Sequence, residues 1–184
     1  VEKNGTRSQV VVTGTEERVV PLKHYLYTTV SEHLFKVLKD SAKEKEIKSQ
    51  INQLLLLKDG NNPTNESTIH KVNQLISLMQ TKNSYVKPAF VLNSLIKHLY
   101  QENMLPVIFF VFSRANAESW AKQITVNLYG YDDSHLASVI PNECAQIIRR
   151  LPNHREYESL PEYKQLVQLM SKGIAHHHSG MMPV

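Results

Sequence analysis

Residues Pro106–Phe112 read PVIFFVF, an unbroken apolar run of strand length. A run this short and this apolar suits a parallel strand covered on both faces. Its neighbours fit that reading. Upstream, Leu92, Leu95, Ile96 and Leu99 stripe one face of a helix from about Val86 to Glu102. Downstream, Ala117, Trp120, Ala121 and Ile124 stripe the next helix. A helix, a buried strand and a second helix in close succession are the material of an α/β sheet.

The chain continues in the same style. DSHLASVIPNECAQIIRRL is a helical pattern with Pro141 near an end or a kink. SLPEYKQLVQLMSKG follows, with Ser159 and Glu162 spaced as a capping box and Pro161 in the first turn. Tyr163, Leu166, Val167 and Met170 form its inner face, and Lys172 and Gly173 end it. GIAHHHSG is then expected to be the next strand and its exit loop.

The N-terminal part reads differently. Ser8–Tyr27 is rich in β-branched and aromatic residues, which predicts strands over about Gln9–Thr13 and Val19–Tyr27 with a polar turn at Gly14–Arg18. Pro21 argues for an edge or a strand start. After Ser31, Leu34, Val37 and Leu38 share a helical face, and Ile47, Ile51, Leu54 and Leu55 share another, with Gly60 as a stop. Asp59–Thr68 is a loop by composition, and Val72, Leu75, Ile76 and Met79 stripe a further helix. Lys39 to about Lys82 therefore reads as a helical hairpin inserted on a globular body.

Length and composition set the limits. The 184 residues fit one domain, or one domain and part of another, and 41% hydrophobic content supplies a core. No apolar run approaches the roughly 20 residues of a membrane span, and no signal peptide is visible. One cysteine, Cys144, allows no internal disulfide and fits a reducing, intracellular compartment. A net charge of +4 hints only weakly at a polyanionic partner. No internal repeat is present.

Two stretches carry candidate chemistry. Ser113 and Arg114 stand where the apolar run meets a helix start, a place where N–H groups and partial positive charge can hold a phosphate. The plainer reading is that Ser113 caps the helix and Arg114 is solvated. His176, His177 and His178 alternate sides if extended, so only His176 and His178 share a face. Zinc ligands are usually spaced by three to five residues, and Cys144, His135 and His154 add no such spacing, so no metal site is expected. A strand-end loop fits better, with Gly180 permitting a close backbone approach and imidazoles acting as hydrogen-bonding groups. No Gly-x-Ser-x-Gly elbow occurs, Cys144 lies within a helical pattern, and Asp132–Asp133 read as a loop, so no catalytic residue is assigned. Lys36–Lys48 mixes acids and bases, as a solvated helix face does.

Taken in order, VVPLKHYLY, LPVIFFVFSRANAE and LPEYKQLVQLMSKGIAHHHSGMMPV resemble the motif series of Ski-type (superkiller) DExH-box RNA helicases of superfamily two. The last block is the most specific: a long helix, then Gly173, Ile174, His177, His178, Gly180, Met181 and Pro183 in the family's Gly-Ile/Val and His-His-x-Gly-Leu/Met-x-Pro pattern. The FVFSR stretch is similar to the family's motif IV, and PLKHYLY to the crossing from the first to the second RecA-like domain. The resemblance covers about Gln9–Leu38 and Tyr85–Val184, with no matching motif between them.

The resemblance implies an α/β fold with a RecA-like parallel sheet and covering helices, incomplete here, plus the helical hairpin. It divides the chain into a crossing segment at 1–38, a helical insertion at 39–84, and the N-terminal half of a second RecA-like domain at 85–184. It implies single-stranded RNA as partner, met by Ser113, Arg114, His177, His178 and Gly180 through the backbone rather than the bases. ATP and Mg²⁺ would serve the parent helicase. The Gly-x-x-x-x-Gly-Lys-Ser/Thr loop and Asp-Glu-x-His motif that such an enzyme needs are missing from this sequence. A middle slice of a helicase is therefore expected, holding no nucleotide tightly and neither hydrolysing ATP nor unwinding a duplex alone. The parent would act in the cytoplasm or nucleus. Two rivals are a helicase of the related DNA-repair branch and a non-catalytic helical adaptor. The 39–84 hairpin offers a docking face for a protein partner.

Overall fold

The computed structural model describes residues 2–3, 6–7, 20–129 and 135–181. The strand expected at Gln9–Thr13, the turn at Gly14–Arg18, the Asp132–Asp133 loop and Pro183 lie outside the described residues.

Two short strands, β1 (Glu2–Lys3) and β2 (Thr6–Arg7), pair antiparallel. The second expected N-terminal strand is present as β3 (Lys23–Tyr27), starting beyond Pro21. Helix α1 (Glu32–Leu38) follows Ser31, and α2 (Ser41–Lys48) starts at Asp40, whose carboxylate accepts from Ala42 N and Lys43 N.

The helical hairpin expected at 39–84 is not what forms. Leu54 and Leu55, read as part of a helical face, belong to strand β4 (Leu54–Asp59). Helix α2 ends at Lys48, and Asn52 adopts a left-handed φ of 57°, which turns the chain out of any helical path. β4 pairs antiparallel with β3, Tyr27 opposite Leu54 and Lys23 opposite Asp59, with an irregularity between His24 and Tyr25. Four successive leucines are ambiguous between helix and strand. The unpaired edge of β3 decides for strand. Helix α3 (Glu66–Thr81) then starts at Asn65, whose side chain accepts from Thr68 N.

One core joins these pieces. Val30, Leu34, Ile47, Ile51 and Leu75 are buried together, with Phe35, Leu38, Leu78 and Met79 packed around them. The apolar residues expected to offer a docking face, Ile47, Ile51 and Leu75, are thus used internally.

Helix α4 (Pro88–Gln101) takes the expected span, with Leu92, Ile96 and Leu99 buried. Tyr27 ties it to β3, its hydroxyl 2.8 Å from Ser94 Oγ and its ring tilted against His98. Helix α5 (Arg114–Gln123) joins α4 through Asn93, which donates to Gln123 O and accepts from Thr125 N. Helices α6 (Leu136–Ile148), α7 (His154–Ser159) and α8 (Pro161–Met170) complete the described chain. Pro141 lies inside α6 rather than at an end. The capping box is absent: Ser159 closes α7, its hydroxyl donating to Glu156 O, and Leu160 precedes α8 without a side-chain cap. The proline at the first position holds that helix start instead.

The two expected parallel strands do not form ladders. Residues 106–112 and 174–178 run without regular pairing, and both sheets among the described residues are antiparallel. The period-two signature is nonetheless visible. Ile108, Phe110 and Phe112 are 77%, 81% and 103% exposed, against 41% for Val107 and 37% for Phe109, so the segment is not covered on both faces as expected. A ladder needs a neighbouring strand, and no described strand lies beside this segment. The fold is therefore a mixed α/β arrangement. No described helix is long and apolar enough to cross a membrane.

Candidate nucleic-acid interface

Ser113 caps α5. Its extended backbone (φ −140°, ψ 127°) lets the hydroxyl oxygen accept from Asn116 N at 3.4 Å, while its carbonyl accepts from Ala117 N at 2.9 Å. The plain capping role is thus real, and the hydroxyl proton remains available to a ligand. Arg114 follows as the first helical residue and is exposed. A cation in the first turn opposes the helix dipole, and no acid in that turn offsets it. Among the described residues Arg114 makes no ion pair.

The histidine segment is delivered by α8. Gly173 turns the chain with φ +80°, and Ile174 buries beside Ala121 and Leu169. Tyr129 donates to Met170 O, and Leu128 N donates to Lys172 O, pinning the turn from the opposite side. From the Ile174 anchor the side chains alternate as expected. His176 and His178 are half-buried with ring centroids 5.9 Å apart, and His177 is exposed.

His178 is held at both nitrogens. Gly180 N donates to Nδ1 at 3.1 Å, so Nδ1 is the acceptor, and Nε2 donates to Glu118 Oε1 at 2.9 Å. The bond from His178 holds the Glu118 carboxyl below its ordinary range, against a smaller desolvation effect and with help from Lys122. Glu118 also meets Lys122 Nζ at 3.7 Å. Burial pushes His176 below its ordinary value, and its Nδ1 is buried without a partner.

Gly180 closes the group. A Cβ placed there would stand 3.3 Å from Arg114 Nη1 and 3.3 Å from His178 Nδ1. The close approach expected of this glycine is thus to the arginine and the imidazole. Of the five expected contact residues, Ser113, Arg114, His178 and Gly180 converge on one corner. His177 points away and borders the apolar cleft of about 620 Å³ between α4, α5 and the two extended segments. Among the described residues no three His, Cys, Asp or Glu side chains are grouped to hold a metal ion.

Glu118 and Lys122 were not singled out by sequence. Their i, i+4 spacing from Arg114 marks one helix face, but the partner that engages Glu118 lies 60 residues away.

The geometry defines a polar corner between a capped helix start and a glycine loop. Over nearly its whole length the chain resembles Ski-type DExH-box RNA helicases of superfamily two. It is 28% identical over 174 residues to the DExH-box ATP-dependent RNA helicase DExH9 of Arabidopsis thaliana, covering 92% of this chain and 16% of that protein. It is 26% identical over 172 residues to the ATP-dependent RNA helicase mtr4 of Schizosaccharomyces pombe, and 25% identical over 170 residues to the exosome RNA helicase MTR4 of Homo sapiens, each covering 92% of this chain and 15% of the relative. This chain thus spans about a sixth of the length of those relatives. No family model and no solved structure matches the chain.

Proposed function

We propose that this chain is part of an ATP-dependent RNA helicase and that the Ser113–Arg114–Gly180 corner grips the backbone of single-stranded RNA. The observation that carries the reading is the exposed Arg114, without an ion pair among the described residues, beside the Gly180 backbone, in a chain similar along its length to RNA helicases. The Ser113 hydroxyl proton and the Arg114 guanidinium would donate to a phosphate, which needs no base-specific group. His177, exposed on the neighbouring side, would border the same track.

In this reading residues 107–111 and 174–178 are two strands of a RecA-like parallel sheet, beginning a second RecA-like domain at 85–184. Their alternating exposure supports it, as does the apolar cleft between them and helices α4 and α5. Their ladder partners would come from elsewhere in a longer protein. ATP and Mg²⁺ belong to the whole helicase. This sequence has no phosphate-cradling Gly-x-x-x-x-Gly-Lys loop and, among the described residues, no metal-holding group, so its own residues do not fit the nucleotide site.

Photo-crosslinking of a single-stranded oligouridylate to the whole protein tests the corner. Crosslinked peptides are expected to include Ser113–Arg114 and His177–Gly180, and Arg114→Ala is expected to weaken binding. Crosslinks confined to other regions, with Arg114→Ala binding as wild type does, would overturn the assignment. Running the matching oligodeoxyuridylate in parallel separates RNA preference, through the 2′-hydroxyl, from plain single-strand binding.

A further inference from the structure

We propose that His178 is a positioning residue: it engages Glu118 and thereby keeps Arg114 open for an RNA phosphate. The inference rests on the RNA-facing reading of the corner and assigns the histidine a task other than touching RNA.

Arg114, Glu118 and Lys122 follow one another at i, i+4 along α5. Opposite charges four apart on a helix face attract one another. An arginine that gave itself to such a carboxylate would lose most of its attraction for a phosphate. Yet Arg114 makes no ion pair among the described residues, and Glu118 makes two contacts elsewhere. Its Oε1 accepts from His178 Nε2 at 2.9 Å, and its Oε2 lies 3.7 Å from Lys122 Nζ. Both carboxylate oxygens are thus directed to groups other than Arg114.

The imidazole is fixed in this task from behind. Because Gly180 N donates to Nδ1, the ring proton sits on Nε2, the atom that faces Glu118. The ring is only 13% exposed, while Glu118 is 41% exposed. The more buried partner therefore holds the freer one. Gly180 contributes a second effect by lacking a side chain: a Cβ there would crowd both Arg114 Nη1 and His178 Nδ1. The charged and titratable groups around the pair are Arg114 and Lys122 from the helix and His176 from the loop. Of these, Arg114 is the one that is exposed and without an ion pair among the described residues.

The test uses the whole protein and a labelled single-stranded oligouridylate, titrated without nucleotide at several salt concentrations. Arg114→Ala and His178→Ala are each expected to weaken binding about tenfold and to flatten the log–log salt dependence by about one unit, the signature of one lost phosphate contact. Glu118→Gln added to His178→Ala is expected to restore both affinity and salt slope, because a neutral amide no longer competes for Arg114. His178→Gln, which keeps a donor toward Glu118, is expected to stay near wild type. A purely structural role for the ring would leave the double variant as weak as His178→Ala, and that result sinks the proposal. Wild-type binding by His178→Ala sinks it too. If Arg114→Ala binds normally, the RNA reading of the corner itself fails and the inference falls with it. Should His178→Ala not fold, His178→Phe, which fills the ring's space without a donor, carries the same comparison with and without Glu118→Gln.

Discussion

The Tyr27 hydroxyl lies 2.8 Å from Ser94 Oγ across 67 residues of sequence, and this pair fastens the β3–β4 ladder to α4. The Tyr27 ring meets His98 at 5.8 Å, so the residue contributes both a polar and an aromatic contact. Tyr27→Phe keeps the ring and is expected to cost about 1 kcal/mol, the usual worth of one part-buried hydrogen bond. Tyr27→Ala removes both contacts and is expected to cost clearly more. Urea midpoints of the two variants check the order, and equal midpoints for Tyr27→Phe and wild type would remove the hydroxyl from the account.

Leu34 has no exposed surface and sits at the centre of the cluster formed by Val30, Ile47, Ile51 and Leu75. Leu34→Ala is expected to cost roughly 2–5 kcal/mol, the transfer and cavity terms together. Val37 is on the same helix and 36% exposed, so Val37→Ala is expected to cost under about 1 kcal/mol. Denaturant melts of both variants check the contrast.

Local pattern carried the helices and failed where pairing is remote. The Leu92, Ile96 and Leu99 stripe gave α4 its span and its buried face. Ile47 and Ile51 were correctly inward, but Leu54 and Leu55 continue that spacing only on paper, because Asn52 diverts the chain and β3 offers an edge. No local window contains that edge. The apolar stretch Pro106–Phe112 reads as a strand covered on both faces, yet Ile108, Phe110 and Phe112 stand exposed, since neither a ladder partner nor a covering layer is written in the local sequence. In the site, Ser113 capping and the shared face of His176 and His178 follow from spacing alone. Glu118 was invisible because its role depends on a histidine brought in by α8.

Gly173 holds φ at +80°, and a Cβ there would lie 3.1 Å from Leu128 Cβ. Backbone strain and contact with another residue's Cβ act together, and neither side is a flexible chain end. Gly173→Ala is expected to cost roughly 1–3 kcal/mol. Since Gly173 delivers Ile174 to its pocket, the loss should concentrate in residues 174–180. Hydrogen exchange is the measurement: faster exchange of this segment, with α1–α3 unchanged, is expected. Uniform loosening of the whole chain would contradict a local role.

Acidification should loosen the same segment in two steps. His176 is held below its ordinary value of 6.5 by burial, so its neutral form is the folded one. As pH falls below 6.5 the unfolded segment gains a proton that the folded one resists, and stability declines until the folded group also titrates. Glu118 is held below its ordinary value of 4.5, first by the bond from His178. Its contribution is complete above that value and is lost as pH falls through the lower, folded pKa. Both terms therefore have the same sign, with loss on the acid side. Exchange of residues 174–180 is expected to quicken, beyond the intrinsic rate, as pH drops from neutral toward 5 and again below 4.5. His176→Gln should abolish the first step and leave the second, while Glu118→Gln should abolish the second. A first step that survives His176→Gln would assign it to another group.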